Sequence, residues 1–181
     1  MKKLLFIICI TLALSTSALA GEKIDPSDFI CAELVAMPTT TGEPSLFEAL
    51  QIDGYASARL NNAVADPQIM APLLEQVYVA CQAATTEKVL TFWQKARETW
   101  PVAEDGPWKA DKTTCGDYAA NKEDGSGFVI WLDGYNRQKN SRTASVLESD
   151  DVLKIFLDNC EKQPKALMLD VMKGNSGASS P

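Results

Sequence analysis

Trp131-Leu132-Asp133-Gly134-Tyr135 carries a tripeptide that has already occurred once, as Asp53-Gly54-Tyr55, 80 positions earlier. The surroundings of the two copies agree. Cys31-Ala32-Glu33-Leu34 precedes the first and Cys115-Gly116-Asp117-Tyr118 the second, each a cysteine followed by small, acidic and apolar residues. Downstream, Tyr55 lies 26 positions before Cys81 and Tyr135 lies 25 before Cys160. A cysteine on each side at nearly equal distance marks a duplication rather than a chance match.

The period around each copy is helical. Leu153, Phe156, Leu157 and Cys160 fall at i, i+3, i+4 and i+7, and Met70, Leu74, Val77, Tyr78 and Cys81 trace the same stripe. Asp66 before Pro67, and Asp150, read as helix starts. The Asp-Gly-Tyr elements are expected on helices over about 45–58 and 128–139, where glycine admits another backbone at close range. A last helix in each unit starts near Thr86 and at Gln163-Pro164. It carries Val89, Phe92, Trp93 and Ala96, or Leu167, Met168 and Val171. Strand-like alternation is missing, so the expected fold is all-α: two small disulfide-stapled helical domains in tandem, each of about four helices.

The first domain is expected over 21–100 and the second over 113–173. A connector at 101–112 contains Pro101, Gly106 and Pro107, and a Gly-, Ser- and Asn-rich tail at 174–181 is expected to be disordered. At 181 residues and 46% hydrophobic the chain can build a core. It has no histidine, which removes Ser-His-Asp and Cys-His catalysis, histidine-ligated zinc and a histidine pH switch. A formal charge of -7 opposes nucleic-acid binding.

Residues 1–20 read as a secretory signal peptide. Lys2 and Lys3 precede an apolar run from Leu4 to Leu14, and Ala18-Leu19-Ala20 forms a small-residue cleavage site. The run is too short for a membrane span, which takes roughly 20 residues. Cleavage after Ala20 would leave 15 basic and 24 acidic residues and four cysteines, Cys31, Cys81, Cys115 and Cys160. In an oxidising compartment an even count reads as a disulfide framework with three connectivities. Spacing alone does not choose among them; the duplication pairs Cys31 with Cys81 and Cys115 with Cys160.

Asp53, Asp133 and Glu48 are the carboxylates an acid-base mechanism would use, but carboxylates on helices are usually solvated or capping groups. They are expected to be so here, and no catalytic residue, metal site or cofactor is assigned. Tyr55, Tyr135, Trp93 and Trp131 are expected to pack in the core, with Trp100 and Trp108 as further candidates to line a binding surface.

In Thr114-Cys115-Gly116-Asp117-Tyr118, Trp131-Leu132-Asp133-Gly134-Tyr135 and Cys160-Glu161-Lys162-Gln163-Pro164, the second unit resembles the small periplasmic acid-stress chaperones of the HdeA/HdeB type. The resemblance covers about 112–173 well and 28–100 more loosely. Gln51 stands where the second unit has Trp131, Thr85 stands where it has Pro164, and the family typically has one unit per chain. The resemblance implies a non-enzymatic, periplasmic, disulfide-pinned helical domain. Such a domain loosens in acid and binds unfolding client proteins through newly exposed apolar surface. With two units in one chain, an intramolecular pseudo-dimer would stand in for a homodimer. The competing expectation is a constitutive periplasmic binding module, such as an inhibitor or immunity protein whose acidity steers it to a basic lytic enzyme.

Overall fold

The computed structural model describes residues 24–37, 46–100, 106–141 and 144–175; the expected signal peptide and the tail from 176 lie outside them. The described residues form eight α-helices and isolated bridges, with no named strand. In the first repeat these are α1 (Cys31–Ala36), α2 (Leu46–Arg59), α3 (Met70–Ala83) and α4 (Val89–Thr99). In the second they are α5 (Cys115–Ala120), α6 (Lys122–Lys139), α7 (Asp150–Glu161) and α8 (Met168–Asn175).

Several backbone bonds recur at equivalent places in the two sets. Cys31 N–H donates to Glu87 O at 2.8 Å and Cys115 N–H to Ala166 O at 2.9 Å. Ala32 N–H donates to Thr85 O and Gly116 N–H to Pro164 O, both at 2.8 Å. These bonds tie the start of the short first helix to the loop before the last one. Cys31 is bonded to Cys81 and Cys115 to Cys160. The loops they close span 50 and 45 residues, for which the chain-entropy model gives roughly 4 kcal/mol each.

Local chemistry explains the helix ends. Asp66 accepts from Gln68 N–H and opens a 3-10 turn over Pro67–Ile69 that leads into α3. Thr114 and Asp117 form a reciprocal capping box at α5. The cap of α7 is Ser149, one residue before the expected Asp150, because its hydroxyl accepts from Val152 N–H. Helix α6 starts six residues before the expected Phe128. Gly125 and Gly127 lie inside it, and Gly125 sits under the rings of Tyr118 and Trp108 with no room for a Cβ. Gly174 and Asn175, expected to open the disordered tail, instead close α8: Asn175 donates to Val171 O at 2.8 Å and accepts from Asn159 at 2.7 Å.

Two apolar clusters fill the interior. The first gathers Ile24, Phe29, Leu34, Leu73, Val77, Val89 and Trp93 with its disulfide; the second gathers Trp108, Phe128, Trp131, Phe156, Met168 and Met172 with the other. The expected connector is more than a spacer from 106 on. Trp108 and Ala110 are buried in the second cluster, and Ala65 N–H and Ala110 N–H bond to Trp108 O and Ala63 O. Ala58 and Ala65, from the first repeat, are also in the second cluster, so the halves share packing.

Candidate functional site

The two Asp-Gly-Tyr helices lie against each other. A Cβ on Gly54 would come 1.9 Å from Trp131 O, and one on Gly134 would come 2.0 Å from Gln51 O. The relation is reciprocal, because Gln51 and Trp131 are equivalent residues, like Gly54 and Gly134. An isologous contact about a two-fold axis has this form. Side-chain bonds across the contact join residues 78, 82 and 78 positions apart, for Trp131 to Asp53, Gln51 to Asp133 and Lys139 to Asn61. Offsets so near the repeat length of 80 mean that α2 and α6 run in the same direction, in register.

Each glycine brings the neighbouring aspartate into the contact. Asp53 and Asp133 are fully buried and Glu48 is buried, so the expectation that these carboxylates are solvated or capping is overturned. Wedged between packed helices, Asp53 and Asp133 have partners that supply what water would, whereas Glu48 Oε2 is buried without a hydrogen-bond partner among the described residues. Asp53 Oδ1 accepts from Trp93 Nε1 at 2.9 Å, and Oδ2 accepts from Trp131 Nε1 at 2.9 Å and Arg97 Nη2 at 3.0 Å. Arg97 Nε lies 2.9 Å from Oδ1, and Arg97 also donates to the Ser57 hydroxyl. Asp133 Oδ1 accepts from Val146 N–H at 2.8 Å; Oδ2 accepts from Ser145 Oγ at 2.8 Å and Gln51 Nε2 at 3.0 Å.

Gln51 therefore does for Asp133 what Trp131 does for Asp53: each donates across the contact to the other repeat's aspartate. Burial pushes both carboxyls above the usual carboxylate range. Arg97 and the two indoles pull against it at Asp53, and Ser145, the Val146 amide, Arg137 and Gln51 pull against it at Asp133. Each group bonded to either carboxylate is a donor, and neither carboxylate is open to solvent. The arrangement fixes the two helices to each other.

The remaining expected residues fall around this contact. Tyr135 is buried and stacks on Trp131 with ring centres 5.2 Å apart, at the end of a column running through Phe128 to Trp108. Tyr55 packs half-buried on the first cluster. Trp93 and Trp108 are buried, so of the indoles suggested for a binding surface only Trp100 remains partly open, donating to Gln76. Pro164 is exposed and contributes its carbonyl to Gly116. Arg97, Ser57, Ser145 and Arg137 were missed by sequence reading. The signal for Gln51 was present: it occupies Trp131's place in the repeat.

At the rim, Asp25 holds the segment before α1. Arg137 donates to Ile24 O at 2.9 Å and its other nitrogen lies 3.4 Å from Asp25, while Lys88 bonds Ser27 O and Asp28. Partial burial pushes the Asp25 carboxyl up, but the Ser27 hydroxyl and amide, Arg137 and Lys88 outweigh it and hold it below the usual range. Asp117 is held low by Thr114, and Asp158 by Lys154. Beside the contact an apolar cleft of about 70 Å³ opens between Leu50, Pro67, Trp108 and Phe128.

No family model, curated protein or solved structure matches this chain. No helix among the described residues is long and apolar enough to cross a membrane.

Proposed function

We infer that the protein is an acid-activated chaperone of an exported compartment, built as a covalent pseudo-dimer of two disulfide-pinned repeats. The observation that carries this reading is a division among its carboxylates. Those held below their usual range, Asp25, Asp117 and Asp158, lie on the outside, at the segment before α1, the start of α5 and the surface of α7. Those pushed above it, Asp53 and Asp133, lie at the central contact.

The two groups respond to acid with opposite sign. A depressed carboxyl contributes stability above the unfolded value near 3.8, and that contribution is lost as pH falls through its folded value. A raised carboxyl favours the folded state most below 3.8 and loses that contribution as pH rises through its folded value. Acid thus loosens the rim and spares the contact. At the same time the excess of 24 acidic over 17 basic residues becomes a large positive charge, which adds self-repulsion.

Opening the rim uncovers Ile24, Phe29 and the clusters beneath them, while each disulfide limits how far its repeat extends. At neutral pH the exposed large apolar side chains among the described residues, Leu46, Leu60, Val79 and Ile155, are scattered over different parts of the fold, so a client surface has to be uncovered. The test is light scattering from an exported client brought to about pH 2, with and without oxidised protein, beside a pH 7 heat-aggregation control. Suppression only in acid is expected. Suppression at pH 7 alone, or none at either pH, would overturn the reading; the latter would direct attention to a specific neutral-pH partner.

A further inference from the structure

The repeats match closely enough to show where they have been made different. The turn before α1 and the turn before α5 are equivalent: Asp28 N–H and Phe29 N–H bond to Asp25 O, and Lys112 N–H and Thr113 N–H bond to Lys109 O. Asp25 therefore corresponds to Lys109 and Asp28 to Lys112. The charge of this turn is reversed between the repeats.

The reversal matters because the turn meets the other repeat. Arg137, buried on α6, reaches across to Ile24 O and Asp25. Its equivalent on α2 is Ser57, which carries no charge and bonds Arg97 of its own repeat. The faces of α2 and α6 differ in the same sense. Trp131 on one side is matched by Gln51 on the other, and the stacked ring of Phe128 by Glu48.

We propose that these faces are complementary halves of a heterotypic interface, so that the first repeat recognises the second and neither recognises a copy of itself. Two copies of the second repeat would bring each Arg137 to a Lys109 and crowd two Trp131 rings at one contact. Two copies of the first would leave both Asp25 carboxylates facing Ser57 and set two buried Glu48 side chains at one level. Like charges and mismatched volumes weigh against both homotypic pairs, whereas the intramolecular pair sets Arg137 beside Asp25 and Trp131 beside Asp53. The chain is accordingly self-sufficient and does not exchange repeats with a second copy. This inference stands on the packing alone and does not depend on the chaperone reading.

The test inserts a protease site between Trp100 and Gly106 of the protein spanning residues 21–181 and cuts it with both disulfides intact. The halves are unfolded and refolded together at neutral pH, and native mass spectrometry counts the pairs. The 1:1 complex of unlike halves should exceed a statistical mixture by about tenfold or more. A statistical distribution, like-with-like dimers or halves that stay apart would each overturn the proposal. Asp25→Lys, which places the residue of position 109 at its equivalent position 25, should reduce the preference. Asp28→Lys should leave it intact, since Asp28 pairs with Lys88 of its own repeat. Equal effects of the two variants would remove the role given to Arg137 and Asp25.

Discussion

Asp53 and Asp133 occupy the same place in two copies of one motif, at the same depth and against the same neighbouring helix, yet they are neutralised by different means. Asp53 has a guanidinium on both oxygens and two indoles. Asp133 has a hydroxyl, an amide side chain and a backbone N–H; Arg137, the cation on its own helix, is turned to Ile24 and Asp25. One site is a buried ion pair, and the other is a buried carboxylate hydrogen-bonded by neutral donors, with Arg137 acting on it only through space. The geometry of the contact was therefore kept while the chemistry of its two ends diverged, and the two ends should fail differently.

The largest effect is expected from Asp53→Asn, which leaves Arg97 buried without a counter-charge. Loss of one partner of such a pair costs about 3–5 kcal/mol, read as a fall in the denaturant midpoint at pH 7. If Asp133→Asn cost as much, the distinction between the two sites would break down. Gly54→Ala and Gly134→Ala come next, each about 3 kcal/mol, because the added carbon meets a backbone carbonyl that cannot turn aside. The two should be nearly equal, since the contact is reciprocal; a large inequality would show that its symmetry does not extend to energy.

Asp133→Asn follows, at about 1–2 kcal/mol for an acceptor lost among neutral donors. Its cost should grow as pH falls. The raised Asp133 carboxyl gains stability for the folded wild type between its folded value and 3.8, and the amide gains none. Stability curves of both proteins at pH 7 and pH 4 would show the gap widening, and a narrowing gap would reverse the sign assigned here. The smallest effect is that of Asp25→Asn, a half-exposed group. It should lower neutral stability slightly and flatten the loss of stability below pH 4, measured by thermal unfolding across that range.

Much of this framework was legible in the sequence because it is local. The stripes ending at Cys81 and Cys160 gave two helices, and the flanking cysteines gave the pairing. Gly54 and Gly134 marked a close backbone approach, although the sequence did not say that each glycine meets the other repeat. The burial of Asp53 and Asp133 was not legible. Their donors arrive from α4, from the loop before α7 and from the opposite central helix, and no spacing rule connects Asp53 with Arg97 or Trp131. The first turns of α6 were not expected, and the rings that cover Gly125 within them come from Tyr118 and Trp108. Similarly, nothing in the composition of the connector distinguished a free linker from one anchored by Trp108.

Hydrogen exchange on the oxidised protein, compared between pH 7 and about pH 3, tests the central claim most directly. Amides of α2 and α6 around Gly54 and Gly134 should stay protected in acid, while the segment before α1, α5 and the outer face of α7 lose protection. Loss of protection at the α2–α6 contact before or together with the rim would contradict an acid response confined to the periphery.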